Sequence, residues 1–107
     1  MLSENNKSTI DRQFVLSTLK AYSKTIENLG IKSLALFGSV ARNEATADSD
    51  LDFLVEFEGV ATFDGYMDLK FFLEDLFNKK VDLVTQKSLK PQLTEKVLKE
   101  AIYVTES

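Results

Sequence analysis

The stretch from Leu51 to Phe57 constrains the fold more than any other. Leu51, Phe53, Val55 and Phe57 alternate with Asp52, Leu54 and Glu56. A period of two is that of a β-strand, here with one apolar face and one mixed face. Such a strand needs paired neighbours at its edges and helices laid against it. The rest of the chain offers both. Ser33-Leu34-Ala35-Leu36-Phe37 is a short apolar run that reads as a buried strand. Lys80-Val81-Asp82-Leu83-Val84 reads as a third strand, and Ile102-Tyr103-Val104 as a short last one.

Between the strands the period becomes helical. Apolar residues recur at Ile10, Phe14, Val15 or Leu16, Leu19, Tyr22, Ile26 and Leu29. One helix is expected there, beginning near Ile10 with Ser8 or Thr9 as its cap and stopping at Gly30. Val40 to Glu44 suits a helical turn or two, and Ala45 to Ser49 a loop. Phe63 to Phe77 carries apolar residues at Phe63, Tyr66, Met67, Phe71 or Phe72, Leu73, Leu76 and Phe77. Ser88 is the expected cap of a closing helix with Pro91 in its first turn. Leu89, Leu93, Val97, Leu98 and Ala101 form that helix's expected buried stripe. The expected fold is α/β (α+β), a small mixed sheet flanked by helices.

At 107 residues this is a single domain over 1–107, with residues 1–8 expected to fray. Hydrophobic residues are 44% of the chain, enough to fill one core without disulfides. There is no Cys and no His. Thiolate and imidazole chemistry are therefore excluded, and any metal must be held by oxygen. A reducing, cytoplasmic setting is expected. The net charge of −4 argues against direct binding to a nucleic-acid backbone, but not against a nucleotide whose charge a metal offsets. The first residues are not those of a signal peptide, and no apolar run is long enough for a membrane span.

The chemistry concentrates between Phe37 and Phe53. A strand ends in Gly38-Ser39 and a helical turn begins. Glycine lets a phosphate approach the backbone, and the free amides at a helix start attract anions. Ten residues later come Asp50 and Asp52. Two positions apart on a strand, they point to the same face, where their charges repel unless a cation lies between them. Magnesium suits such a site, because it binds through one or two carboxylates plus substrate phosphates. Asp82, an acid within an apolar strand, reaches the same place if its strand lies beside that of Asp52. A phosphate cradle beside paired carboxylates is what nucleotidyl or phosphoryl transfer requires.

Phe37-Gly38-Ser39-Val40-Ala41-Arg42, followed by Ser49-Asp50-Leu51-Asp52-Phe53, resembles the minimal nucleotidyltransferases of the polymerase-β-like superfamily. The signature there is Gly-Ser, ten residues, then Asp-x-Asp. The likeness continues through Lys80 to Val84 and the closing helix, so it spans nearly the whole chain. Asn43 stands where the family commonly has glycine. Asn accepts a left-handed backbone better than most residues do, so the departure is mild.

The resemblance implies a nucleotidyltransferase fold. It also implies two magnesium ions on Asp50, Asp52 and Asp82, and a triphosphate on Gly38, Ser39 and Arg42. Asp82 would also help deprotonate the attacking hydroxyl. Such short chains look like the antitoxin half of toxin–antitoxin pairs whose partner is a HEPN-domain toxin, in a hetero-oligomer. The implied reaction moves AMP from ATP to a tyrosine hydroxyl of that toxin and silences it. The rival is a binding-only antitoxin with a degenerate site.

Structural readings stand beside these roles. Gly38-Ser39 can be a turn, and Asp50 can cap a loop. Asp82 can be an edge-strand acid paired with Lys79 or Lys80. Arg42 can contact phosphates or form a surface ion pair with Glu44 or Asp48. Phe63, Tyr66, Phe71, Phe72 and Phe77 read as core, with part of the set left as a partner surface. Lys96, Lys99 and Glu100 read as a solvated helix face.

Overall fold

The computed structural model describes residues 11–46 and 48–106, with Thr105 and Glu106 described by their backbone alone. Ser8, Thr9, Ile10 and the segment expected to fray lie outside these residues. The order is α1 (Arg12–Ala21), α2 (Ser23–Asn28), β1 (Ile31–Phe37), α3 (Gly38–Ala41), β2 (Leu51–Phe57), α4 (Phe63–Phe77), β3 (Val81–Thr85), a 3-10 turn (Gln86–Ser88), α5 (Pro91–Glu100) and β4 (Ile102–Glu106). The strands form one mixed sheet in the order β3-β2-β1-β4. β1 pairs antiparallel with β2 and β4, and β2 pairs parallel with β3.

The alternation in β2 divides the protein into two layers. Leu51, Phe53 and Val55 pack into the main core with Val15, Leu19 and Ile26 and with Leu69, Leu73 and Phe77 of α4. Phe53 is fully buried, which contributes roughly 1.5–3 kcal/mol relative to exposure. The opposite face carries a smaller cluster, in which Ala35 and Leu54 meet Val97 of α5. Asp52 belongs to that second face.

Several local expectations change. The first helix divides at Tyr22, whose backbone (φ −105°, ψ 17°) leaves the helical region, although the apolar spacing runs through it. α1 is capped by Asp11, whose carboxylate accepts the Phe14 amide at 2.8 Å. Ser88 does not cap α5. Its hydroxyl donates to the Thr85 carbonyl at 2.9 Å, and Lys90 is the residue before Pro91 that starts the helix. In α5 only Val97 is buried, while Leu93 and Leu98 are exposed. The second sheet face offers mainly Ala35 and Leu54 to cover, which accommodates one line of side chains. In α4, Phe77 is buried and Tyr66 and Phe72 pack against the core, but Phe63 and Phe71 are exposed. Among the described residues no helix is long and apolar enough to cross a membrane.

Candidate active site

β1 ends at Phe37, which is the antiparallel partner of Asp52 at the start of β2. Asp52 in turn is the parallel partner of Asp82 at the start of β3. Register partners project to the same side of a sheet. The end of β1 and the starts of β2 and β3 thus bring the glycine-serine bend and two of the acids to one edge of one face. Asp50 precedes β2, in the connection that leads into it.

The bend is shaped by Gly38. Its backbone is left-handed (φ +81°), a conformation glycine adopts without strain. A side chain here would also have no room. A Cβ built on Gly38 would lie 2.9 Å from Cγ and 3.0 Å from Cβ of Asp52. The Asp52 carboxylate therefore rests directly against the Gly38 backbone. The turn closes beyond it through the Asn43 amide to Val40 and the Glu44 amide to Ser39, the latter at 2.8 Å. Asn43 has φ +63°, so it takes the left-handed conformation that its place in the motif requires. Arg12 of α1 caps this segment, donating to the Ala41 carbonyl at 3.0 Å.

Ser39 faces the loop before β2, and its hydroxyl lies 3.4 Å from that of Ser49. Ser49 holds this loop, since its hydroxyl accepts the Thr46 amide at 2.8 Å and its carbonyl accepts Lys79 Nζ at 3.0 Å. The Leu51 amide then donates to the Lys80 carbonyl, which sets the starts of β2 and β3 side by side.

The electrostatics single out Asp52. Its carboxyl is pushed from 3.8 up to about 6. Partial burial contributes most, followed by repulsion from Asp82 and then Asp50, while Arg42 acts in the opposite direction. Asp82 is exposed on an edge strand, so its charge remains solvated. Among the described residues no three acidic groups come together closely enough to enclose a metal by themselves. The donor set nevertheless suits a hard cation. It is all oxygen, and its carboxylates repel one another across Asp52. Magnesium needs only one or two carboxylates when substrate phosphates complete its shell.

Arg42 makes the foreseen ion pair with Glu44, Nε to Oε1 at 3.0 Å. It also makes an unforeseen one with Glu100, at 3.0 Å. Glu100 is not part of a solvated face, because its side chain is only 18% exposed. Its Oε2 accepts the Gly38 amide at 2.9 Å. Burial raises the Glu100 carboxyl, but the Gly38 amide and the Arg42 guanidinium outweigh this and hold it below its ordinary value. One sequence signal could have marked Glu100. It is an acid in the last position of a helix, where the dipole disfavours negative charge.

A separate cleft of about 520 Å³ opens at the far end of β2, lined in part by Phe57, Glu58 and Lys87. Asp50, Asp52 and Asp82 are not among its lining residues.

Known proteins share this sequence pattern and this fold. The family model described as nucleotidyltransferase domain matches residues 16–104. The protein adenylyltransferase MntA of Thermococcus cleftensis is 40% identical over 89 residues, covering 82% of this chain and 90% of that protein. A solved structure described as "putative minimal nucleotidyltransferase" superposes with a TM-score of 0.77 at 41% identity, covering 87% of this chain and 95% of that one. A chain from the complex of tri-AMPylated Shewanella oneidensis HEPN toxin with MNT antitoxin superposes with a TM-score of 0.56. It shares 19% identity, covering 82% of this chain and 72% of that one, and supports the fold. With a family model spanning most of its length and the motif assembled at one sheet edge, this chain belongs to the nucleotidyltransferase-domain family and is a nucleotidyltransferase.

Proposed function

We propose that this enzyme is the antitoxin of a toxin–antitoxin pair and transfers AMP from ATP, in a magnesium-dependent reaction, to a tyrosine hydroxyl of a HEPN-domain toxin. The observation that carries the site assignment is the seat of Asp52, beside Asp82 in the sheet and against the bare backbone of Gly38. The protein chemistry is supported by the adenylyltransferase name of the Thermococcus cleftensis relative, and the partner by the AMPylated HEPN toxin of the Shewanella complex. The reaction needs ATP, which favours the cytoplasm as its setting.

Each residue has a part that follows from its position. Asp50, Asp52 and Asp82 are the oxygen donors available to magnesium. A magnesium ion held by them would supply positive charge to offset that of the triphosphate and of the departing pyrophosphate. Ser39 offers its hydroxyl and an amide at the start of α3, a donor pair suited to phosphate oxygens. Gly38 contributes by what it lacks. Its amide is already taken by Glu100, and its missing side chain leaves Asp52 room. Arg42 offers positive charge at the same bend. The tyrosine oxygen forms a bond to the α-phosphorus while the bond to the β-phosphate oxygen breaks. Asp82, solvated on its edge strand, helps take up the hydroxyl proton.

The test is label transfer from ATP to the co-expressed partner. Wild-type protein should add AMP mass to a tyrosine of the toxin, read by mass spectrometry. Asp52→Asn should reduce this by about 100- to 1,000-fold, the scale on which a central charge-stabilising group acts. Unchanged transfer by a folded Asp52→Asn variant would remove Asp52 from the chemistry.

A further inference from the structure

Glu100 lies 62 residues from Gly38 in sequence, yet its carboxylate is tied to both ends of the glycine-serine bend. Oε2 accepts the Gly38 amide at 2.9 Å, and the Arg42 guanidinium donates to Oε1 at 3.0 Å and to Oε2 at 3.3 Å. Charge-assisted bonds of this kind are the stronger protein hydrogen bonds, and a carboxylate with three of them is held firmly. The position is otherwise a poor one for an acid. Glu100 ends α5, where the helix carbonyls already present negative charge. It also stands near Asp52 and adds to the repulsion there. An acid disfavoured by its own helix and by the neighbouring carboxylate is held in place by what it bonds.

We infer that Glu100 is a positioning residue for nucleotide binding, pinning the Gly38 amide and the Arg42 guanidinium so that the bend is preformed for a triphosphate. The inference rests on the nucleotide-binding reading of the Gly38-Ser39 bend. Two consequences of the geometry support it. The Gly38 amide fixed by Glu100 opens the bend that brings Gly38 against Asp52, so the carboxylate sets how Ser39 is presented. Arg42 is about half exposed and is held from two sides, by Glu44 and by Glu100. Of these two carboxylates, it is Glu100 that also accepts the Gly38 amide. A long side chain held in this way loses less freedom when phosphate arrives.

The experiment is a calorimetric titration of ATP with magnesium into wild-type protein, Glu100→Ala, Glu100→Gln, Arg42→Ala and the Arg42→Ala/Glu100→Ala double variant. Circular dichroism confirms that each is folded. Glu100→Ala should weaken ATP binding by about tenfold, the scale of losing a charge-assisted hydrogen bond. Glu100→Gln should recover part of that loss, because its carbonyl oxygen still accepts the Gly38 amide. The double variant should lose less than the product of the two single losses, because part of the Glu100 effect passes through Arg42. If wild type binds ATP and Glu100→Ala binds it equally well, the inference fails while the nucleotide site stands. Tighter binding by Glu100→Ala also overturns it, since the carboxylate would then be competing with phosphate. Full multiplication of the single losses overturns the link through Arg42. If wild type binds no ATP, the nucleotide reading itself fails and the inference falls with it.

Discussion

The carboxylate of Asp52 occupies the space that a side chain on Gly38 would need. A methyl group there would come within 2.9 Å of Asp52 Cγ, on a backbone that is already left-handed. Gly38→Ala should therefore do two kinds of damage. The left-handed backbone costs about 1–2 kcal/mol for a residue with a side chain, readable as a lower urea midpoint. Asp52 must also move, and displacement of a reacting group by about 1 Å can cost about 100-fold in rate. Label transfer from ATP should fall by that order even at a temperature where the variant is fully folded. Wild-type transfer by Gly38→Ala would show that the contact has no catalytic consequence.

Burial and repulsion raise the Asp52 carboxyl to about 6, and this makes metal-free stability depend on pH. Between the unfolded value of 3.8 and the folded value of about 6, the folded chain holds this proton more tightly than the unfolded chain does. The Asp52 contribution to stability is therefore greatest below that window and is lost as pH rises through it. In EDTA, Asp52→Asn should remove this slope. At pH 7 the variant should be more stable than wild type by about 1 kcal/mol, allowing for solvent around a half-buried group. Magnesium favours the charged form, so it should raise the wild-type melting temperature and leave that of Asp52→Asn unchanged. Parallel pH profiles for the two proteins would contradict the assignment.

What was legible in the sequence was what repeats locally or differs sharply between faces. The β2 strand could be read because Leu51, Phe53 and Val55 are unlike Asp52 and Glu56, and its bounds agree with the structure. The α4 helix could be read because its apolar period holds from Phe63 to Phe77. The break at Tyr22 could not, because the apolar spacing passes through it without interruption. The exposure of Asp82 depends on β3 being an edge strand, which is a property of sheet order and not of the residues around Asp82. Glu100 was the main omission at the site. Its partners are distant in the chain, and beside Lys96 and Lys99 it has the appearance of an ordinary solvated charge.

Removing both carboxylates of the Asp-x-Asp pair separates catalysis from capture. Asp50→Ala with Asp52→Ala removes the acids, while the main core rests on Leu51, Phe53 and Val55, which point the other way. On the proposed function, the double variant should fold and still associate with the HEPN-domain toxin, but it should no longer silence it when the two are co-expressed. Colony counts would fall to those of toxin alone. Full protection by the double variant would mean that association is sufficient, and the site would then be dispensable for the antitoxin role.

Asn43 tests how the turn behind the bend is built. It occupies a left-handed conformation at φ +63°, and its amide closes on the Val40 carbonyl at 3.0 Å. Asn tolerates this region because its short polar side chain can satisfy local backbone groups, while a β-branched residue cannot adopt it without strain. Asn43→Gly should change stability by no more than about 0.5 kcal/mol, since relief of strain is offset by the greater freedom of glycine when unfolded. Asn43→Val should cost about 1–2 kcal/mol in urea unfolding. The adjoining bond from the Glu44 amide to the Ser39 carbonyl transmits the change to the phosphate donors. ATP affinity should therefore fall with Asn43→Val and hold with Asn43→Gly. Equal stability and affinity in both variants would show that the turn tolerates any residue and takes no part in shaping the bend.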